Sequence, residues 1–478
     1  MQRLSNFIGG EFSPPIEGRY LEKRDPATGE VIAFVPASGA QDVEAAVAAA
    51  QQAFPQWAAV PAEERFSLLM RVAELLEARS EELALAESRD TGKPLWLARQ
   101  VDIPRAIRNF RFFAAAVLHW SSEAYPAQAL HYTIRQPLGV VACIAPWNLP
   151  LYLLTWKVAP ALAAGNCVVA KPSELTPTTA TMLAQIIQQA GFPAGVFNVV
   201  HGEGSVAGAA LVAHPAVRAI SFTGGTHTGR EIARIAAPLF KKLTLELGGK
   251  NPTIIFTDSP FEQAVAEAVR AAFSNQGEIC LCGSRILVQR PLYERFRQEF
   301  VQRARTLRVG DPLDPSTQQG ALISEAHLQR VLSYVELARQ EGGIVLCGGE
   351  QIRLEGRCRN GYFFAPTVIE ELGPKCRVNQ EEIFGPVVTL LPFDEEEEAI
   401  AIANGTPYGL AASVWTENLA RAHRVAGALQ AGIVWINCWM VRDLRTPFGG
   451  MKQSGLGREG GWEAFYFFTE PKSVTVAL

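Results

Sequence analysis

Downstream of about residue 165, short apolar runs alternate with longer stretches of helical spacing, and this alternation dominates the chain. The runs Cys167–Ala170, Val196–Val200, Ala219–Phe222 and the segment around Leu243 read as buried strands. Between them, Thr178–Ala190, Ser205–Ala213 and Thr226–Ala237 carry the helical period. A second series starts at Thr253–Phe256, continues through a helix over Phe261–Phe273 and a strand at Ile286–Val288, and enters a helix over Leu292–Leu307. Further helices are expected over Glu325–Gln340 and Glu396–Asn404, the latter opening on the acidic run Asp394–Glu398, which suits a helix N-terminus. Strand–helix–strand order of this kind predicts parallel sheets covered by helices on both faces, an α/β class.

Upstream the pattern differs. Residues 1–40 read as an extended entry arm with a turn at Asp25–Glu30. Helical spacing follows over Asp42–Phe54, Ala62–Arg79 and, as one long element, Glu81 to Trp120. The stretch Tyr132–Cys143 alternates like strands around Pro137-Leu138-Gly139.

A chain of 478 residues has room for more than one domain. Its 48% hydrophobic and 19% charged residues are those of an ordinary soluble protein. A net charge of −4 gives no reason to expect nucleic acid or an acidic membrane as partner. The most apolar stretch, Leu138–Ala170, is interrupted by Pro146, Asn148, Pro150, Lys157 and Pro160, so no membrane span is expected. Eight cysteines without regular spacing read as reduced thiols, and with no leader pattern at the N-terminus the expectation is a cytoplasmic protein.

Three stretches carry candidate chemistry. Cys280, in FSNQGEICLCGSR, sits on a loop between a helix and a strand, either as a displayed nucleophile or as a small buried hydrophobe. The neighbouring Cys282 makes a C-x-C pair, but no His or further Cys stands near enough to complete a metal set, so no metal is expected. Glu246 lies among leucines in LTLELGGKNP, where desolvation would raise its pKa toward that of a working base unless it points to water from an edge strand. Asn148, between prolines in APWNLP, is either a rigid oxyanion donor or simply a turn residue.

Together these stretches resemble the aldehyde dehydrogenase superfamily. The motifs PWN, KPSE, FTG, ELGGKNP, NQGEIC, EEIFGPV and PFGG stand in that family's order along essentially the whole chain. The resemblance implies a Rossmann-type NAD-binding domain (1–118 and 138–248), an α/β catalytic domain (249–448) and a small β oligomerisation arm (119–137 and 465–478). It makes Cys280 the nucleophile, Glu246 the base and Asn148, with the Cys280 backbone N–H, the oxyanion donor.

The residues alone leave dinucleotide binding open, because the turns Gly202–Gly204 and Phe222–Gly225 follow strands and open helices but lack the full G-x-G-x-x-G pattern. The resemblance supplies a G-x-x-x-x-G variant from Gly224 to Gly229. It also assigns Trp147, Gly204, Gly224 and Gly225 to the cofactor, Lys171 and Glu174 to the adenosine ribose, and Glu382 and Phe384 to the nicotinamide ribose. A carboxylate at Glu174 would repel a 2′-phosphate, which favours NAD over NADP.

For the substrate, Arg105 in VDIPRAIRNFRFF and Arg442 in NCWMVRDLRTPFGG are either surface ion-pairing residues or a clamp for a carboxylate. Their surroundings are similar to the muconic semialdehyde branch of the family, where matching arginines bind the substrate carboxylate. That implies an unsaturated, carboxylate-bearing semialdehyde, the 2-amino compound ahead of the 2-hydroxy one. Two rivals stand beside this reading: a non-catalytic protein of the same fold, and a relative that passes the acyl group to CoA. Finally, Lys472–Val476 and Tyr132–Ile134 read as strand edges without a partner in their own domain. The resemblance assigns both to an arm that pairs with another subunit, so a homodimer or homotetramer is expected.

Overall fold

A computed structural model describes residues 2–477, so the terminal residues 1 and 478 of the expected ranges lie outside it. Two large sheets organise the chain. The first runs, in spatial order, Gly455–Leu456, Lys242–Glu246, Val217–Thr223, Val140–Ile144, Cys167–Lys171, Phe197–Val199, Asn6–Ile8 and Glu11–Ser13. Its five central strands are parallel and its outer ones antiparallel. From Val140–Ile144 the chain builds outward through Cys167–Lys171 to Phe197–Val199, then returns to the other side of Val140–Ile144 with Val217–Thr223. The strand order therefore reverses between Val140–Ile144 and Val217–Thr223, and a crevice beyond the carboxyl ends of strands at such a reversal is where open α/β sheets bind ligands.

The second sheet has the order Ile344–Cys347, Thr367–Glu370, Val387–Phe393, Arg285–Gln289, Pro252–Ile255, Ala411–Trp415 and Ile433–Ile436, parallel except at Ile344–Cys347. Leu247–Asn251 connects the two sheets directly, from the carboxyl end of Lys242–Glu246 into the start of Pro252–Ile255. The expected strands and helices of both series are present, and the Phe261–Phe273 helix has the expected ends.

The structure corrects or sharpens four expectations. The long helix from Glu81 is broken: Ser80–Thr91 ends on Gly92 in the left-handed region (φ 78°), Pro94 follows, and a π-helical turn at Ala98–Asp102 leads into Ile103–Val117. The first 40 residues are not a free arm. Gln2–Arg3, Val31–Pro36 and Tyr20–Arg24 form a small sheet, while Asn6–Ile8 and Glu11–Ser13 extend the first large one. The stretch read as interrupted apolar sequence contains a helix, Pro150–Ala163, whose residues are all buried. It is apolar all round, so it has no amphipathic period to betray it. The two edges read as lacking a partner in their own domain pair with each other: Thr469–Ala477 runs antiparallel to Ala129–Pro137 along its whole length, Lys472 opposite Ile134. Ala124–Pro126 covers the far side, leaving the tail strand at the sheet's edge.

Candidate active site

The motifs converge where the two sheets meet. Val140–Ile144 runs out into Ala145-Pro146-Trp147-Asn148, and Val217–Thr223 runs out into Gly224 and Gly225. A groove of about 560 Å³ lies beyond these carboxyl ends, lined by Trp147, Lys171, Glu174, Gly204, Gly224 and Gly225 among others. It shares Pro146, Trp147, Thr223, Gly224 and Gly225 with a second cavity of about 250 Å³, whose walls include Asn148, Cys280, Glu382 and Phe384. The structure thus brings the residues expected to serve as cofactor ligands, as nucleophile (Cys280) and as oxyanion donor (Asn148) onto one continuous cleft.

In the larger half, Gly225 caps the helix Thr226–Ala236, and Gly204 opens the helical segment that continues as Ala209–Ala213. A Cβ added to either glycine would meet no atom within 4 Å, so both backbones are open for close approach by a phosphate. Lys171, nearly fully buried, donates to the Glu174 carboxylate at 3.1 Å. These features fit a dinucleotide.

In the smaller half, Glu382 accepts from the Gly249 N–H at 2.8 Å. A Cβ on Gly248 would stand 2.2 Å from its carboxylate, and one on Gly249 would stand 2.8 Å from the Cys280 carbonyl, so both glycines are required by close approach. Burial raises the Glu382 pKa to about 7 against the pull of Gly249, Lys250 and Arg330. Phe384 adopts φ 63° and turns its ring edge-on to Trp147 at 5.3 Å. Its carbonyl accepts from His327 at 2.7 Å, and burial lowers that imidazole to about 4.

Cys280 is half-buried on a loop that leaves the helix Phe261–Phe273 through Asn275 and Gln276, both left-handed (φ 51° and 57°). Such backbone is strained outside glycine and is found mostly where the chain must aim a reactive group. Asn251 pins the loop by donating to the carbonyls of Cys280 (2.7 Å) and Cys282 (2.9 Å), and the Trp439 indole donates to that of Leu281 at 3.0 Å. Burial, with Glu382, Glu246 and Cys282 nearby, pushes the Cys280 thiol upward, and Arg442 opposes this. Cys282 is buried more deeply and its thiol, pushed up to about 12, stays protonated.

Glu246 ends its strand 3% exposed, and neither carboxylate oxygen has a hydrogen-bond partner among the described residues. Burial and the nearby Glu459 carboxylate raise its pKa well above the usual range, with Lys157, Arg458 and Arg442 opposing. The edge-strand alternative, a Glu facing water, is excluded by this burial. Asn148 is also buried, donating from its amide to the Glu278 carbonyl at 2.9 Å, while its own carbonyl accepts from Lys93 at 2.8 Å. One amide hydrogen of Asn148 remains for a ligand.

Arg105 and Arg442 come together on the buried helix Pro150–Ala163. Arg105 stacks over Tyr152 and Trp156 at 5.1 and 5.2 Å, and Arg442 lies 5.6 Å over Trp156 while donating to the Tyr152 hydroxyl at 3.0 Å. Neither forms a salt bridge among the described residues, and one terminal nitrogen of Arg105 is buried without a partner. Burial lowers the Arg105 pKa to about 10, with Arg442 adding repulsion. The surface ion-pair alternative therefore fails for both.

Sequence reasoning missed Tyr152 and Trp156, which ride on the missed helix, and the buried pair Lys157–Glu459, 2.6 Å apart beside Glu246. Lys157 carried a signal: a lone cation inside a fully apolar run must find an acid when buried. Glu459 and His327 carried none. Among the described residues no cluster of His, Cys, Asp and Glu could hold a metal, and no helix is long and apolar enough to cross a membrane.

Residues 14–474 match the model of the aldehyde dehydrogenase family. A 2-aminomuconic semialdehyde dehydrogenase from Bos taurus is 54% identical, over 99% of this chain and 98% of the relative. A 2-hydroxymuconic semialdehyde dehydrogenase from Pseudomonas sp. (strain CF600) is 47% identical, with both chains fully covered. The crystal structure of an indole-3-acetaldehyde dehydrogenase complexed with NAD+ superposes with a TM-score of 0.97 at 42% identity, covering 99% of this chain and 97% of that one. A cysteine displayed on a pinned loop, a desolvated acid and a long groove at the sheet reversal agree with the family match, and the chain belongs to the aldehyde dehydrogenase family.

Proposed function

We propose that this enzyme oxidises 2-aminomuconate 6-semialdehyde, a carboxylate-bearing unsaturated aldehyde, to 2-aminomuconate with NAD. The observation that carries the substrate reading is the pair Arg105 and Arg442, two unpaired guanidiniums converging on the Tyr152 and Trp156 rings with no carboxylate of the chain between them. A buried and a half-buried cation held side by side without an acid favour an anion between them, and a planar carboxylate fits their fork geometry. Arg442 also lies close enough to influence both Cys280 and Glu246, so a substrate anchored there has its aldehyde at the reacting residues. The names of the relatives support the 2-amino compound over the 2-hydroxy one.

In this reading Cys280 attacks the aldehyde carbon as thiolate. The Asn148 amide and the Cys280 N–H hold the oxyanion, each worth about 3–4 kcal/mol in the transition state. Lys171 and Glu174 would hold the adenosine ribose, Gly204, Gly224 and Gly225 the pyrophosphate, and Trp147, Glu382 and Phe384 the nicotinamide half. Bound NAD supplies the acceptor for the hydride whose loss turns the cysteine adduct into a thioester. Glu246, poised by burial to accept a proton, activates the water that releases the acid. Retention of this base is what argues against a CoA-acylating relative.

We further assign 1–118 and 138–248 to cofactor binding, 249–448 to catalysis, and 119–137 with 465–478 to an arm whose open tail strand pairs with a second copy, giving a dimer or a dimer of dimers. A cytoplasmic location is consistent with this chemistry. The test is NADH formation across 2-aminomuconate semialdehyde, its 2-hydroxy analogue and uncharged aldehydes of similar length, with and without CoA. The proposal expects the highest kcat/KM for the 2-amino compound and no CoA requirement. An uncharged aldehyde turned over as efficiently would overturn it.

A further inference from the structure

Behind the cleft, three ionisable side chains are buried together outside the reacting set. Lys93 is 0% exposed, and its ammonium contacts Asp102 at 2.5 Å and the Asn148 carbonyl at 2.8 Å. Glu87, equally buried, accepts from the Leu151 N–H at 3.1 Å and the Thr179 hydroxyl at 2.7 Å. Leu151 belongs to the first turn of Pro150–Ala163, so the cluster grips the PWN loop on one side and the start of the substrate-facing helix on the other. Burying an acid–base group of this kind costs several kcal/mol per ion unless its bonds are well made, so such a cluster is poor as a stabilising device.

The broken helix explains how the cluster forms. Gly92 ends Ser80–Thr91, and the turn that follows brings Lys93 inward. The π-helical turn Ala98–Asp102 adds a residue to the helical register, and Asp102 and Arg105 both end up buried. One irregular segment thus supplies the acid for Lys93 and the arginine for the substrate.

The bonds lead onward to the nucleophile loop. The Asn148 carbonyl also accepts from the Asn275 amide at 3.4 Å. The Asn148 and Asn275 amides both donate to the Glu278 carbonyl, at 2.9 and 3.2 Å. Asn148 is held at its backbone by Lys93 and at its side chain by the loop that carries Cys280.

We propose that Lys93, anchored by Asp102, is a positioning residue that sets the placement of the Asn148 amide relative to Cys280. It touches neither substrate nor cofactor in this arrangement. The inference rests on Asn148 being the oxyanion donor. A donor shifted by a fraction of an ångström loses much of its worth, since the oxyanion must be met at hydrogen-bond distance and misplacement of about 1 Å costs on the order of a hundredfold.

The experiment is a double-mutant cycle of Lys93→Met with Asn148→Ala, read as kcat for NADH formation, with NAD binding and melting temperature as controls. Lys93→Met alone should lower kcat about ten- to a hundredfold while the KM values and NAD affinity stay within about twofold. In the Asn148→Ala background the same change should cost little, because its route of action is already gone. Lys93→Arg, which keeps the cation, should recover part of the rate. Equal losses in both backgrounds would overturn the inference and leave Lys93 a support of the fold. Full activity in Asn148→Ala alone would instead remove the oxyanion assignment itself. If Lys93→Met does not fold, Asp102→Asn carries the same cycle with the same outcomes.

Discussion

The reacting residues and the arginine pair treat charge in opposite ways. At the reacting end, Glu246 and Glu382 are acids pushed toward neutrality by burial, and the Cys280 thiol is pushed the same way. At the arginine end, Arg105 and Arg442 stay cationic against aromatic faces, with no acid to pair them. Burial raises the proton affinity of the reacting groups, whereas the arginines keep a charge that no acid beside them neutralises. Reaction and recognition are thereby separated: high proton affinity suits the Glu246 carboxylate to work as a base, and the substrate's own carboxylate supplies the anion that the recognising groups lack.

The hardest way to break this contrast is at the reacting end. Cys280→Ser should abolish the burst of NADH, with loss beyond about a thousandfold, while NAD still binds. A serine hydroxyl has a far higher pKa, and His327, which lines the same cavity, has its Nε2 committed to the Phe384 carbonyl. Rapid-mixing absorbance with an equilibrium NAD titration checks both halves. Normal turnover would move the nucleophile elsewhere, with Cys282 the first alternative.

At the recognising end the expected effect is smaller and selective. Arg105→Ala or Arg442→Ala removes a charge-assisted contact of roughly 1.5–3 kcal/mol, so KM for a carboxylated semialdehyde should rise about ten- to a hundredfold. An uncharged aldehyde of similar length should hardly notice. The double mutant should cost less than the sum of the singles, because both arginines serve one anion. Equal losses on both aldehydes would make the arginines structural.

This division also governed what the sequence made legible. Cys280, Glu246 and Asn148 lie in short motifs whose glycines and prolines mark sharp turns, and the parallel α/β class followed from strand–helix alternation. The arginines were visible only as residues, since what makes them a site is the helix Pro150–Ala163 under them, and a helix buried on every face leaves no period to read. The segment from Glu81 to Trp120 failed for the reverse reason. Gly92 and Pro94 do mark the break, but helical spacing resumes beyond them, and no periodicity announces the extra residue of the π-helical turn Ala98–Asp102. Glu459 was invisible because its meaning comes from Lys157, some 300 residues away (|i−j| = 302). Pairing across that distance is a property of the packed fold.

The smallest expected effect sharpens the contrast through stability. Glu382 titrates near 4.5 in an unfolded chain and at about 7 in the folded protein, with burial the main cause. Between those values the folded state keeps a proton that the unfolded state has released. The contribution of Glu382 is therefore most favourable below pH 4.5, declines as pH rises, and is fully lost above pH 7. Glutamine has nearly the same shape and does not titrate. Glu382→Gln should accordingly match the cofactor-free wild type at low pH and become the more stable of the two as pH rises, by about 1–2 kcal/mol at pH 8. That is less than the full shift implies at 1.36 kcal/mol per pKa unit, because the carboxylate is partly open to solvent. Urea unfolding at pH 5 and pH 8 reads the difference directly. A Glu382→Gln protein less stable than wild type at pH 8 would mean the carboxylate is held as a charged acceptor even without cofactor, and the reacting end would then resemble the arginine end in keeping its charge ready-made.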